Sequence, residues 1–277
     1  MITYSRQKDP QFMWLAESSD AWKEPVDSKA VYTPYNKLLE AGFDGFYGSY
    51  FNIKDWHKAS KLTDYIKFTK NLKYSEDKAV LGSFTTHDEI SPVLINGSNY
   101  SKMIMWLNAT LPVNSYSIDG FDTGDNYIYF YGNKIAPKTE TDNNKYFVHR
   151  GKIDIFNFSR KPGGRNIDLK ENFIASNGFK NYIAPLIKNG EYKILRTTDN
   201  RIFAYAISYA KTTVLVFGNI DFKNTAEATI RVPGFDQDML TVPIYLGTTP
   251  VAEKGKFKVK LDPNEIQVLL VNDFVLK

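Results

Sequence analysis

Phe12-Met13-Trp14-Leu15-Ala16-Glu17 is an unbroken apolar run that stops on a carboxylate. With no polar alternation it reads as a strand buried on both faces, the kind found in parallel sheets. Outward from it, short apolar runs alternate with helical patterns. A short helix is expected near Pro34 to Ala41, with Leu38 and Leu39 inward and Asn36 and Lys37 outward, followed by a second strand-like piece from Gly42 to Tyr47. From Lys54 to Asn71 the residues Trp56, Ala59, Leu62, Tyr65, Ile66 and Phe68 fall near helical spacing, a face suited to covering a sheet. Ala79 to Phe84 is a third strand that runs into Thr85-Thr86-His87-Asp88-Glu89. Met103, Ile104, Trp106 and Leu107 mark a helix, and Leu111 to Ile118 a fourth strand whose Pro112 belongs at its start, since it has no N–H for a ladder. This order of strands and helices predicts an α/β fold with a parallel sheet.

Between Asp119 and Leu169 the chain is rich in Gly, Asn, Asp, Thr and Lys without sustained periodicity, which reads as an excursion over one face. A last helix is expected from Phe179 to Lys188, with Phe179, Tyr182, Ile183 and Leu186 on one side. Beyond Glu191 the pattern changes to short alternating strands: Tyr192 to Arg196, Ile202 to Ser208, Thr212 to Asn219, Ala226 to Val232, Thr241 to Leu246, Lys256 to Leu261 and Ile266 to Asn272. Turn signals separate them, among them Thr198-Asp199-Asn200, Pro233-Gly234 and Asp262-Pro263-Asn264. The expectation is an antiparallel β-sandwich over 190–277, after a parallel α/β part over 1–189.

Composition narrows the function. A chain of 277 residues has room for about two domains. Lys and Arg exceed Asp and Glu by only 4, and the basic residues are scattered, so no stripe exists that could track a phosphate backbone; no nucleic-acid partner is expected. Cysteine is absent, which removes disulfides, thiol nucleophiles and Cys-ligated metals together. No apolar run is long enough to cross a bilayer, the first ten residues hold no apolar leader core, and no membrane partner is expected; the compartment stays open. The aromatic content is high, with 18 Tyr, 19 Phe and 4 Trp, and rings near a site can stack on flat ligand faces.

Two places put ionisable groups just past a strand in the parallel part: Glu17, and His87-Asp88-Glu89. In parallel β/α folds the active site lies at that carboxyl edge, because the loops there converge. Each place alone has a plain structural reading, a solvated or capping Glu in one case and the approach to a helix start at Ser91-Pro92 in the other. Together and in order they resemble the distal half of the α-amylase superfamily, glycoside hydrolase family 13. There the fifth barrel strand ends in the acid/base Glu, matched by Phe12 to Glu17; the sixth follows a Gly-Phe-Asp, matched by Gly42-Phe43-Asp44; the seventh ends in a His-Asp pair, matched by His87-Asp88. The eighth carries a Leu-Pro and a Tyr, matched loosely by Leu111-Pro112 and Tyr116.

The resemblance implies a partial (β/α)8 TIM barrel, strands five to eight, followed by the antiparallel sandwich. It implies a retaining hydrolase or transglycosidase acting on α-glucan or maltooligosaccharide. Retention needs an acid to protonate the leaving oxygen and a nucleophilic carboxylate about 5–5.5 Å from it across the sugar. Glu17 takes the part of the acid, Asp88 that of a catalytic carboxylate on the ring hydroxyls, and His87, Trp14 and Asp44 are the expected substrate contacts. No cofactor is expected; calcium enters by resemblance only, with no oxygen-ligand loop standing out. The matched pattern departs in two ways. The Asn that usually precedes the His-Asp pair is Thr86, and only 16 residues precede Glu17, too few for the strand that bears the nucleophile. None of Asp44, Asp119 and Asp122 occupies the nucleophile's place. The expectation is thus a distal fragment, a chain that meets a separate proximal half, or a pair of such halves. The alternative is a non-catalytic carbohydrate-binding or scaffold protein.

Overall fold

The computed structural model describes residues 1–17, 35–47, 58–71, 79–83, 91–118, 120–124 and 166–276. The chain opens with helix α1 (Ile2–Lys8), followed by strand β1 (Leu15–Glu17), helix α2 (Tyr35–Glu40), strand β2 (Gly45–Tyr47), helix α3 (Ser60–Asn71), strand β3 (Ala79–Ser83), helix α4 (Pro92–Thr110) and strand β4 (Asn114–Tyr116). The four strands form one sheet in the order β1-β2-β3-β4, all parallel, with Glu17 opposite Tyr47, Phe46 opposite Val80 and Ser83 opposite Tyr116. The expected β-α alternation is therefore present with shorter strands, but the first is not buried on both faces. β1 is only Leu15–Glu17, and Phe12, Met13 and Leu15 are exposed because β1 ends the sheet with no neighbour on its outer side among the described residues. Pro112 lies in the turn ahead of β4, where its missing N–H costs no ladder bond.

Two helices follow the segment 125–165, Ile167–Tyr182 and Ala184–Asn189. The single helix expected from Phe179 to Lys188 is thus two, meeting at Ile183, and the first begins a dozen residues earlier than its apolar spacing suggested. Asn166 explains the start: its Oδ1 accepts the Leu169 N–H at 3.2 Å, a side-chain N-cap. Phe179, Ile183 and Leu186 are buried as expected, but Tyr182 is 67% exposed and leaves that face.

From Glu191 on, all strands are antiparallel. They are β5 (Glu191–Ile194), β6 (Arg196–Thr197), β7 (Ile202–Tyr209), β8 (Thr212–Asn219), β9 (Ala226–Arg231), β10 (Thr241–Tyr245), β11 (Val251–Glu253), β12 (Lys256–Leu261) and β13 (Ile266–Asn272). They build a five-stranded sheet, β10-β13-β8-β7-β5, and a four-stranded sheet, β11-β12-β9-β6. The expected strand from Tyr192 to Arg196 is split at Leu195, so that β5 joins one sheet and β6 the other.

Burial along these strands follows from their residues. Phe257, Val259 and Leu261 of β12 are buried while the intervening Lys256, Lys258 and Lys260 are exposed, the period of a strand with one wet face. In β7, β8 and β13 the uniform alternation expected from the sequence does not hold, because nearly every residue is buried. Both of their faces are covered. Phe203, Tyr205, Ile207, Val214, Val216, Val268 and Leu270 belong to a core shared with α3, α4 and the later helices, whereas Ala204, Ala206, Leu215, Phe217 and Leu269 face the core shared with β9 and β12.

α4 connects the parallel and antiparallel parts. Tyr100, Met103, Ile104, Met105, Trp106, Leu107 and Ala109 are all buried, and a helix apolar on every side must be enclosed on every side. Its first turn breaks at Asn96 and Gly97, where Gly97 has φ of +72°, and this turns the Asn96 amide outward to donate to Phe222 O at 3.0 Å. At its far end the Thr110 hydroxyl shares a 2.6 Å hydrogen bond with the Tyr205 hydroxyl, and Tyr192 Oη donates to Thr110 O at 2.8 Å. Burial pushes the phenols of Tyr192 and Tyr205 well above the ordinary tyrosine range, so both stay protonated donors. Trp106→Ala removes the ring that packs on Phe179 and Tyr245 and is expected to lower unfolding stability by about 3–5 kcal/mol, read from the urea midpoint at unchanged m-value.

Candidate active site

In a parallel sheet each strand's last residue marks the edge at which the following loop departs. Glu17 is the last residue of β1, at the outer end of the strand order, and it is exposed there while Ala16 beside it is buried. β3 ends at Ser83 on the same edge, paired with Tyr116 of β4. His87 and Asp88 lie outside the described residues, as do Asp119 and Trp56. The structure therefore locates one of the two expected catalytic carboxylates and the strand that leads toward the other.

Asp44 and Trp14 sit elsewhere. Asp44 directly precedes Gly45, the first residue of β2, and Trp14 directly precedes Leu15, the first residue of β1. Both are at the amino-terminal edge, opposite in strand direction to Glu17. There they hold each other: Asp44 Oδ2 accepts the Trp14 backbone N–H at 2.7 Å, and the Asp44 N–H returns a bond to Trp14 O at 2.8 Å. Arg6 of α1 completes the cluster, its Nη2 donating to Asp44 Oδ1 at 2.8 Å and to Gly42 O at 2.7 Å. The Trp14 indole N–H reaches Ser5 Oγ at 3.0 Å. The structure brings Trp14 and Asp44 together with Arg6, and does not bring either to the edge that carries Glu17. The reason is one of register: the Gly-Phe-Asp stretch enters its strand, so its carboxylate falls before β2 and not after it.

Arg6 gave no signal in the sequence, because α1 has no buried residue and hence no apolar face to detect. The same is true of Lys180, on the helix Ile167–Tyr182. Its ammonium donates to Asn108 O at 2.5 Å, in the last turn of α4, and to Val113 O at 2.6 Å, just ahead of β4. These contacts fix the α4–β4 turn that packs over β3. Any side chain at Gly82 of β3 would place its Cβ 2.5 Å from Asn108 Oδ1 and 2.7 Å from Val113 Cγ2, so the close approach requires glycine. Burial pulls the Lys180 amine down to about 8.

Among the described residues no group of three or more His, Asp or Glu is placed to hold a metal ion, and no helix is long and apolar enough to cross a membrane.

No family model matches the sequence and no curated protein matches it. Solved structures do match in shape, and the class they define is the α-amylase fold. The noncanonic maltogenic α-amylase AmyB from Thermotoga neapolitana superposes with a TM-score of 0.61 at 13% identity, over 99% of this chain and 58% of that one. Eubacterium rectale Amy13B gives 0.62 at 15%, over 99% and 55%; the α-amylase from Geobacillus thermoleovorans, solved with acarbose, gives 0.64 at 12%, over 99% and 56%. The likeness at these identities is one of fold, and the chain spans a little more than half the length of the structures it matches.

Two outcomes test this geometry. Asp44→Ala takes the acceptor from the Trp14 N–H and the carboxylate from Arg6, which keeps only Gly42 O, and is expected to cost about 1–3 kcal/mol of stability, measured by chemical denaturation. For Lys180, the folded state gives up its proton near 8 while an unfolded lysine keeps it to about 10.4; between these values the unfolded chain binds more protons, so the contribution of this group to stability rises with pH. Lys180→Met is expected to flatten that part of the difference between stability profiles taken from pH 7 to pH 10.5, and a variant profile parallel to that of the parent would contradict it.

Proposed function

We propose that the chain is the distal part of an α-amylase-like retaining glycosidase or transglycosidase, with Glu17 as the acid/base. In this reading residues 1–189 are strands five to eight of a TIM barrel with their helices, and residues 190–277 a β-sandwich that closes its flank. The observation that carries it is the parallel order β1-β2-β3-β4 with Glu17 ending β1, two strands from the strand that leads to His87 and Asp88. The superposition on α-amylases over a little more than half their length supports the same reading.

The chemistry follows from the carboxylate. Glu17 hands its proton to the glycosidic oxygen as that bond breaks, and afterwards takes a proton from the water or sugar hydroxyl that attacks the glycosyl intermediate. Asp88 and His87 hold hydroxyls of the distorted sugar, where a carboxylate gains most as positive charge develops at the anomeric carbon. The nucleophile comes from outside these residues, on the missing share of the fold. Trp14 and Asp44, expected as sugar contacts, are read instead as bracing the far edge of the sheet with Arg6. α-Glucan is the proposed substrate class, since the matched Geobacillus enzyme was solved with acarbose and a matched AmyP variant with maltotriose.

Isothermal titration with maltooligosaccharides, alongside a turnover assay, tests this. The chain alone is expected to bind with little or no turnover. Mixed with a polypeptide supplying the proximal half of an α-amylase fold it should gain turnover, and Glu17→Gln should then lower the rate by about 10²–10⁴-fold. Binding that never becomes turnover and does not change in Glu17→Gln would make the protein a non-catalytic carbohydrate binder.

A further inference from the structure

Three neighbouring strands of the four-stranded sheet set like charges side by side. Arg196 of β6 stands opposite Arg231 of β9, and Arg231 in turn stands opposite Lys256 of β12. Residues directly opposite in antiparallel strands project to the same face, and all three of these are exposed. Scattered along the chain, they are gathered by strand register alone. We propose that this row is the docking surface for an acidic helix of a partner protein, one whose carboxylates recur every third or fourth residue.

The other charged residues that share this face are Glu253 of β11, Glu227 of β9, and Lys258 and Lys260 of β12. Lys258 pairs with Glu253 at 2.6 Å and Lys260 with Glu227 at 2.9 Å, so both carboxylates are engaged. Arg196, Arg231 and Lys256 are the cations left over. None of the three forms an ion pair or a side-chain hydrogen bond among the described residues, and neither Asp236 nor Asp238, in the loop after β9, pairs with them. Like charges directly opposite in a sheet are destabilising, and an unpaired guanidinium keeps its planar fork of donors free for a carboxylate.

Spacing selects the form of the partner. Neighbouring strands lie about 4.7–4.9 Å apart, so the row steps by that amount at right angles to the strands. On a helix, side chains three or four residues apart have Cβ atoms about 5–6 Å apart, and carboxylates at i, i+4 and i+7 therefore meet the three cations one for one. In an extended segment the side chains of one face recur at about 6.7 Å, which loses register by the third cation. The uncharged paired residues of this face are Thr229 and Val251. With no aromatic ring among them, the face has nothing to stack on a nucleic-acid base or to enter a membrane interface. The proposal needs nothing from the catalytic reading of Glu17.

Exposed ion pairs are individually weak and are screened by salt, so three of them make a transient contact best read by chemical shift. The test is a titration of the full chain at low ionic strength with a soluble helical peptide carrying Glu at i, i+4 and i+7, followed by the N–H resonances of Arg196 and Arg231. Its composition-matched scramble, a DNA duplex and phosphatidylserine vesicles are the comparison probes. The helical peptide is expected to shift both arginines saturably, and about 1 M salt, where the screening length is about 3 Å, to abolish the effect. Arg196→Gln, Arg231→Gln and Lys256→Gln should each weaken binding by about two- to fivefold, and Lys260→Gln, whose ammonium is already paired on the same face, should weaken it least. No saturable shift, equal binding of the scramble, tighter binding of duplex or vesicles, or a loss in Lys260→Gln as large as that in Arg231→Gln would overturn the inference. The shifts are read on the unmodified chain, so a variant that fails to fold does not decide the outcome.

Discussion

α4 is the constraint from which the rest of the architecture follows. A helix with Tyr100, Met103, Ile104, Trp106 and Leu107 all buried has no polar stripe to present to water, and each such side chain left exposed would forfeit about 1.5–3 kcal/mol. The parallel sheet and its helices can cover only part of such a cylinder. The five-stranded antiparallel sheet covers the rest, which is why β7, β8 and β13 are apolar on both faces while β9 and β12 alternate. Polar groups on the helix are then pinned to what covers it: Thr110 to Tyr205 and Tyr192 at one end, Asn96 to Phe222 and Asn264 at the other. One continuous core runs across the change from parallel to antiparallel strands.

How much of this was legible in the sequence depended on how directly each element's burial shows in its residues. β8, β12 and β13 have the ends that their apolar patterns predict; for β12 and β13 the Asp262-Pro263-Asn264 turn between them, and Gly255 ahead of β12, set the ends closely. α1 was invisible, since Ile2–Lys8 buries nothing and is held by Arg6 and Ser5 through polar bonds that leave no periodicity. The split between β5 and β6 was invisible for another reason: Leu195 is apolar like its neighbours, and only the existence of two sheets makes it a crossing point. β11 pairs along one side only and exposes most of itself, so nothing apolar marked it.

For the candidate site, type and position separated. That a strand ends on Glu17 was legible, because the apolar run stops there on a carboxylate. Asp44 and Trp14 carried the right residue types and sat close to the right strands, but chain proximity says nothing about which end of a strand a residue occupies. One strand length reverses the edge. The cavity beside Tyr245, between α4, the helix Ile167–Tyr182 and the β10–β11 and β12–β13 connections, was not legible at all, because its lining draws on residues from 99 to 265 that no local pattern connects. Only the Asp262-Pro263-Asn264 turn was marked, and as a turn it gave no hint that Asn264 would be fully buried in the left-handed region.

The two halves of the parallel sheet, β1–β2 and β3–β4, are held by different means. Between β1 and β2, Arg6, Asp44 and Trp14 close a cluster of charge-assisted and backbone bonds whose acceptors are all within about 3 Å of their donors. Between β3 and β4 stability comes from behind the strands: Lys180 fixes the turn that enters β4, and the missing side chain at Gly82 lets that turn pack closely on β3. The segment that follows Ser83 therefore departs from a strand whose position is determined by a lysine nearly a hundred residues away. In parallel β/α folds the segments that leave the carboxyl ends of the strands can carry reactive side chains without having to hold the sheet together.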